Sequence, residues 1–93
     1  MGAQHLLAEQ DGEILQLDGF ILLRFQCPVC TDAEHHYPTV YFDDAGGKRD
    51  GRTFWKRVSG STVDDITLSP SILCRVPGCE LHCWIRDGRI VLC

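Results

Sequence analysis

Cys27-Pro28-Val29-Cys30 and Cys79-Glu80-Leu81-His82 limit this chain more than any other pattern in it. The first is a C-x2-C pair with an internal proline, a tight turn that points two sulfurs at one ion. The second is a C-x2-H pair. Together they supply three thiolates and one imidazole, the closed tetrahedral set that suits Zn2+. The expected ligands are therefore Cys27, Cys30, Cys79 and His82, around one structural ion. The long stretch between Cys30 and Cys79 fits a zinc-ribbon-like or treble-clef-like arrangement, in which two distant knuckles meet and the connection folds as strands.

Six cysteines in a short chain also fit a disulfide framework, but that needs an oxidising compartment. The start, Met1 to Gln10, has neither a basic segment nor an apolar core. The reading is therefore no secretory signal, a cytoplasmic setting (the host's, if phage-encoded) and reduced thiols. A thioredoxin-like redox pair ranks lower, because Thr31 to His36 runs into Pro38 rather than a helix. The fourth ligand stays open. Cys74, His35 and His36 lie near the two pairs, and Cys83 adjoins His82, so on a strand the two face opposite ways. For Cys83 and Cys93 the plainer reading is a small buried hydrophobe.

A length of 93 residues allows one domain, 1–93, with residues 1–12 as a flexible arm or short helix. The composition, 44% hydrophobic and 24% charged, is that of a globular chain. Apolar runs such as Phe20 to Leu23 are too short for a transmembrane helix, so no membrane is expected. Strands are expected over Ile14–Leu17, Phe20–Gln26, Thr39–Phe42 and Arg52–Val58, the last with Phe54 and Trp55 on opposite faces. A short strand starting at Asp65 stops at Pro70, which cannot donate to a ladder. Leu81–Arg86 and Arg89–Cys93 flank Asp87-Gly88, a strong type I′ hairpin signal. The fold class is mostly β with a C-terminal hairpin and little helix.

Charge is uneven. Residues 1–47 carry eight acidic side chains against Arg24, whereas residues 48–57 carry Lys48, Arg49, Arg52, Lys56 and Arg57 against Asp50. With Phe54 and Trp55 inside it, that basic patch is a candidate nucleic-acid surface. A net charge of -4 opposes long-range attraction to DNA, which favours a solvated hairpin instead.

Ile66-Thr67-Leu68-Ser69-Pro70-Ser71-Ile72, followed by Cys79-Glu80-Leu81-His82-Cys83-Trp84-Ile85-Arg86-Asp87-Gly88-Arg89-Ile90, resembles a family of small phage and bacterial proteins. That family is catalogued as domain of unknown function 6527. The resemblance spans roughly residues 20–93 and implies a metal-binding β domain with ligands Cys27, Cys30, Cys79 and His82. It also implies a place beside bacterial ubiquitin-like conjugation genes. Cys83 stands where the family pattern has an aromatic, and Thr31 to His36 differs from its glycine-rich knuckle.

Three functions follow. The preferred one is a structural-zinc, protein-binding module, a phage or bacterial accessory or host-interaction factor with a protein partner. The second is a nucleic-acid-binding zinc ribbon using Lys48, Arg49, Arg52, Lys56 and Arg57. The third is a zinc-dependent hydrolase or deaminase, in which Glu80 or Glu34 moves the proton. It ranks last, because neither His-Glu-x-x-His nor the deaminase pattern is present. No catalytic residue is assigned. Ser69-Pro70-Ser71 reads as a turn whose hydroxyls bond local backbone, ahead of a role lining a pocket.

Overall fold

In a computed structural model, residues 4–29, 37–73, 79 and 81–93 are described. Strands β1 (Gln4–Leu6), β2 (Glu13–Leu17), β3 (Phe20–Arg24), β4 (Thr39–Asp43), β5 (Gly47–Arg49), β6 (Arg52–Ser59), β7 (Thr67–Leu73), β8 (His82–Arg86) and β9 (Arg89–Leu92) are joined by one 3-10 helix, Leu7–Gln10. The mostly β class and the C-terminal hairpin are thus as expected. The strands form one curled sheet, a half-barrel, in the order β1-β9-β8-β7-β6-β4-β3-β2, with β5 paired to β6. Neighbours run antiparallel except β4 and β6, which are parallel.

Period-two alternation decides which side chains fill the concave side. Leu23, Val40, Phe42, Leu68, Ile72, Cys83, Ile85 and Ile90 point inward and form the core with Leu7, Phe25, Cys27, Ile66 and Leu81. Residues 4–10 are tied to the sheet. Leu7 is fully buried, its N–H donating to the Gly88 carbonyl at 2.9 Å, and β1 pairs along β9.

The turns follow from residues that tolerate positive φ. Asp87-Gly88 has φ of 49° and 74°, the type I′ pattern expected. Asp18-Gly19 and Asp50-Gly51 repeat it. The Asp50-Gly51 turn makes Gly47–Arg49 a strand paired to β6, which the sequence reading leaves inside a loop. Asp65 fastens the β6–β7 connection: one carboxylate oxygen accepts from the Ser61 N–H, the Thr62 N–H and the Thr62 hydroxyl. The Thr62 N–H, then its hydroxyl and the Ser61 N–H, hold that carboxyl below its ordinary value of 3.8.

The largest departure lies in β7. The strand does not stop at Pro70 but continues to Leu73. Leu68 pairs with Ile85 and Ile72 with Cys83, so Ser69, Pro70 and Ser71 stand opposite Trp84 alone. This three-against-one bulge, which contains a cis Ser69–Pro70 bond, is the setting in which a central strand accepts proline, because bulged residues leave the ladder.

Two predictions test this frame. At Gly88, φ is +74° and an added Cβ would meet the Asp64 carbonyl at 2.4 Å. Gly88→Ala should therefore lower stability by about 3 kcal/mol in urea unfolding, combining a strained φ with overpacking. Asp65 has a depressed folded pKa, so its stabilisation is present above 3.8 and fades as pH falls through the folded value. Asp65→Asn should melt below the native protein at pH 7, and the gap should close as pH drops below 3.8.

Candidate functional site

The β7 bulge re-aims Ser71. Leu68 and Ile72 both return to the core, and the extra residues between them turn Ser71 toward β8. On β8, Cys83 and Ile85 are buried, so alternation turns His82 to the convex face. There the Ser71 Oγ and the His82 Nε2 lie 3.1 Å apart, within hydrogen-bond distance. The Ser71 carbonyl accepts from the Trp55 Nε1–H at 3.2 Å, which ties the bulge to β6. Ser71 is half-buried and His82 is exposed, so the pair is open to a substrate. The chain has four serines, at 59, 61, 69 and 71. Among the described residues, Ser71 is the one bonded to a histidine.

A hydroxyl on an imidazole nitrogen is the core of nucleophilic acyl transfer: the imidazole takes the proton as the oxygen attacks a carbonyl. The reading of Ser69-Pro70-Ser71 as a plain turn misses this. The available signal was a serine pair beside a proline in a strand, followed by a histidine on the neighbouring strand.

Of the expected metal ligands, Cys27 and Cys79 lie together. The Cys27 and Cys79 sulfurs are 3.8 Å apart, far beyond a disulfide bond of about 2.05 Å. Cys27 is buried, and Cys79 packs against the core. His82 bonds Ser71, and Cys83 points into the core on the opposite face. Cys30, Cys74, His35, His36, Glu34 and Glu80 lie outside the described residues.

Next to Ser71 the convex face carries an aromatic cluster. Phe54 neighbours Trp55, whose Nε1–H reaches the Ser71 carbonyl, and stands two residues before Lys56, the partner of Ser69. Phe54 packs against Phe20 and Tyr41, with ring centroids 5.7 and 6.2 Å away, and is 7% exposed. The Arg49 guanidinium lies 4.2 Å from the Phe54 centroid, and that of Arg52 lies 4.5 Å from Tyr41 and 4.9 Å from Phe20. Arg49 also pairs with Asp43, whose carboxyl is held below 3.8 first by the Gly46 N–H and then by Arg49. Arg57 pairs with Asp44 at 2.7 Å.

These contacts correct the nucleic-acid alternative. Phe54 is covered, Trp55 packs on the core and bonds Ser71, and Arg49 and Arg57 are paired with carboxylates, so neither Phe54 nor Trp55 is free to stack on a base.

Comparison with known families overturns more. Residues 5–93 match the family described as bacterial ubiquitination-like system serine protease (BubE). No curated protein and no solved structure matches the chain. The assignment to domain of unknown function 6527 is therefore corrected. So is the function built on it, a structural-zinc accessory or host-interaction module, together with the zinc-hydrolase alternative. Among the described residues no group of three or more His, Cys, Asp or Glu is placed to hold a metal ion. No helix among them is long and apolar enough to cross a membrane. With the match covering nearly its whole length, the chain belongs to the bacterial ubiquitination-like system serine protease family, BubE.

Proposed function

We propose that the protein is a serine peptidase whose nucleophile is Ser71 and whose general base is His82, acting on a protein of a bacterial ubiquitination-like system. The observation that carries this is the 3.1 Å contact between the Ser71 Oγ and the His82 Nε2, in a chain of a serine protease family. In the reaction His82 takes the Ser71 proton as the Oγ attacks the scissile carbonyl carbon. The tetrahedral adduct then expels the amine, which leaves with the proton from His82, and Ser71 is left as an ester. Water, deprotonated by His82, hydrolyses the ester and returns Ser71 to the hydroxyl form. Among the described residues no carboxylate is bonded to His82, so the working unit there is a dyad. The bulge supplies the positioning: a half-buried serine is held by its own carbonyl on Trp55. The substrate protein is the partner in this reading, and the setting is cytoplasmic.

A fluorophosphonate probe with peptide mapping tests the assignment. The native protein should carry one label, on Ser71. Ser71→Ala should abolish labelling, and His82→Ala should slow it by about a thousandfold, the scale of a lost catalytic base. A label on Ser59, Ser61 or Ser69, or none, would remove the dyad.

The cofactor is a separate matter and plays no part in that chemistry. We propose that Cys27 and Cys79 share one Zn2+ with Cys30. Support comes from the 3.8 Å sulfur separation, which is what two thiolates about 2.3 Å from a tetrahedral ion adopt. Their segments would then be the two knuckles of a zinc-ribbon-like or treble-clef-like unit inside the larger sheet. His82, engaged with Ser71, is the expected ligand that fits this set least. Metal analysis of protein purified without a chelating tag should find about one zinc per chain, lost in Cys27→Ser and kept in His82→Ala. Metal-free native protein would leave Cys27 and Cys79 as a plain buried thiol contact.

A further inference from the structure

Arg49 and Arg52 close the β5–β6 hairpin as a directly opposed pair, on either side of Asp50-Gly51. Like charges facing each other across a ladder are destabilising. Asp43 neutralises Arg49, whereas Arg52 has no carboxylate partner among the described residues. Both guanidinium groups lie over aromatic rings, Arg49 on Phe54 and Arg52 on Phe20 and Tyr41. Stacking fixes their planes and leaves the N–H edges for hydrogen bonding. Between them is an open cleft of about 120 Å³ lined by Phe20, Arg49, Asp50, Arg52 and Phe54. Arg52, held over two rings with no carboxylate partner among the described residues, and beside it Arg49, which shares its charge with Asp43, make the apolar-walled cleft a receptor for a planar anion, and a carboxylate matches the guanidinium fork.

Position gives the cleft a purpose. Phe54 lines it, and the next residue, Trp55, donates its Nε1–H to the Ser71 carbonyl at 3.2 Å. Paired strands lie about 4.8 Å apart, and an extended peptide advances about 3.3 Å per residue. A substrate strand lying across Ser71 therefore reaches the cleft within about three residues.

We propose that Arg49 and Arg52 form a carboxylate-binding subsite of the peptidase, which takes an acidic residue or C-terminal carboxylate of the substrate polypeptide within about three positions of the bond that Ser71 attacks. The proposal rests on the Ser71–His82 reading for its meaning, but binding at the subsite is measured without catalysis. The apolar walls select a carboxylate flanked by aliphatic side chains, and Asp50 at the rim disfavours a highly charged anion.

The test uses the full chain carrying Ser71→Ala and fluorescein-labelled octapeptides of leucine and glycine. One series has a central Glu, one has Gln there, and one ends in a free or an amidated C-terminus; a labelled oligouridylate is the nucleic-acid arm. Fluorescence anisotropy should show the Glu peptide binding at least tenfold tighter than its Gln counterpart. That preference should vanish in Arg52→Gln, a variant whose melting temperature is measured in parallel. A preference for the free over the amidated terminus would place the α-carboxylate in the cleft, and tighter Glu binding would place a side chain there. Equal binding of the charged and neutral peptides, no binding of either, or tighter binding of the oligouridylate would overturn the subsite. Loss of fluorophosphonate labelling at Ser71 would overturn the dyad instead, so the two failures are distinguishable.

Discussion

Three residues of β7 facing one residue of β8 is the constraint from which the candidate site follows. Leu68 and Ile72 must both reach the core, where they are almost fully buried. The interval between them spans four residues, whereas their partners Ile85 and Cys83 are two apart. The surplus chain has to leave the ladder, and bulged residues bend the strand and re-aim a side chain. Ser71 is thereby turned to the one neighbour on β8 that alternation drives outward, His82. Pro70 fits here because a residue off the ladder owes no N–H to it.

The sheet works on both faces. Its concave side holds the aliphatic core and the buried Cys27 and Cys83. Its convex side carries chemistry, with Ser71 and His82 beside a layer of Phe54, Phe20 and Tyr41 under two arginines. Phe54 and Trp55, adjacent in sequence, take opposite sides. Trp55 packs on the core and anchors the Ser71 carbonyl, and Phe54 floors the arginine cleft. Among the described residues no second layer covers the convex face, and the cationic groups shield its rings with their own planes.

Much of the architecture was legible because it is local. Asp87-Gly88 between apolar runs announces the terminal hairpin, and Asp18-Gly19 marks the turn between β2 and β3. Alternation around Phe54-Trp55 and His82-Cys83 tells which side chains part company. The β5 strand was not legible: Gly47-Lys48-Arg49 has no apolar residue, and it is a strand only because β6 offers it a ladder. Nor was the role of residues 4–10, since Leu7 looks like any leucine until the Gly88 carbonyl and the core receive it.

The candidate site shows the same division. His82 stood out in the sequence, but as a metal ligand, because Cys79 three residues earlier supplies an obvious partner within one segment. Ser71 does not stand out in the sequence, because a serine beside a proline has a ready local explanation as a turn residue. Composition, turn residues and strand periodicity, all properties of neighbours along the chain, were enough to specify a small β protein with His82 and Cys83 on opposite faces. Which atom meets the His82 imidazole depends on the register between two strands and on a bulge that only the burial of Leu68 and Ile72 against Ile85 and Cys83 imposes. That information is non-local, so the pairing of a hydroxyl with an imidazole was decided by the tertiary structure alone.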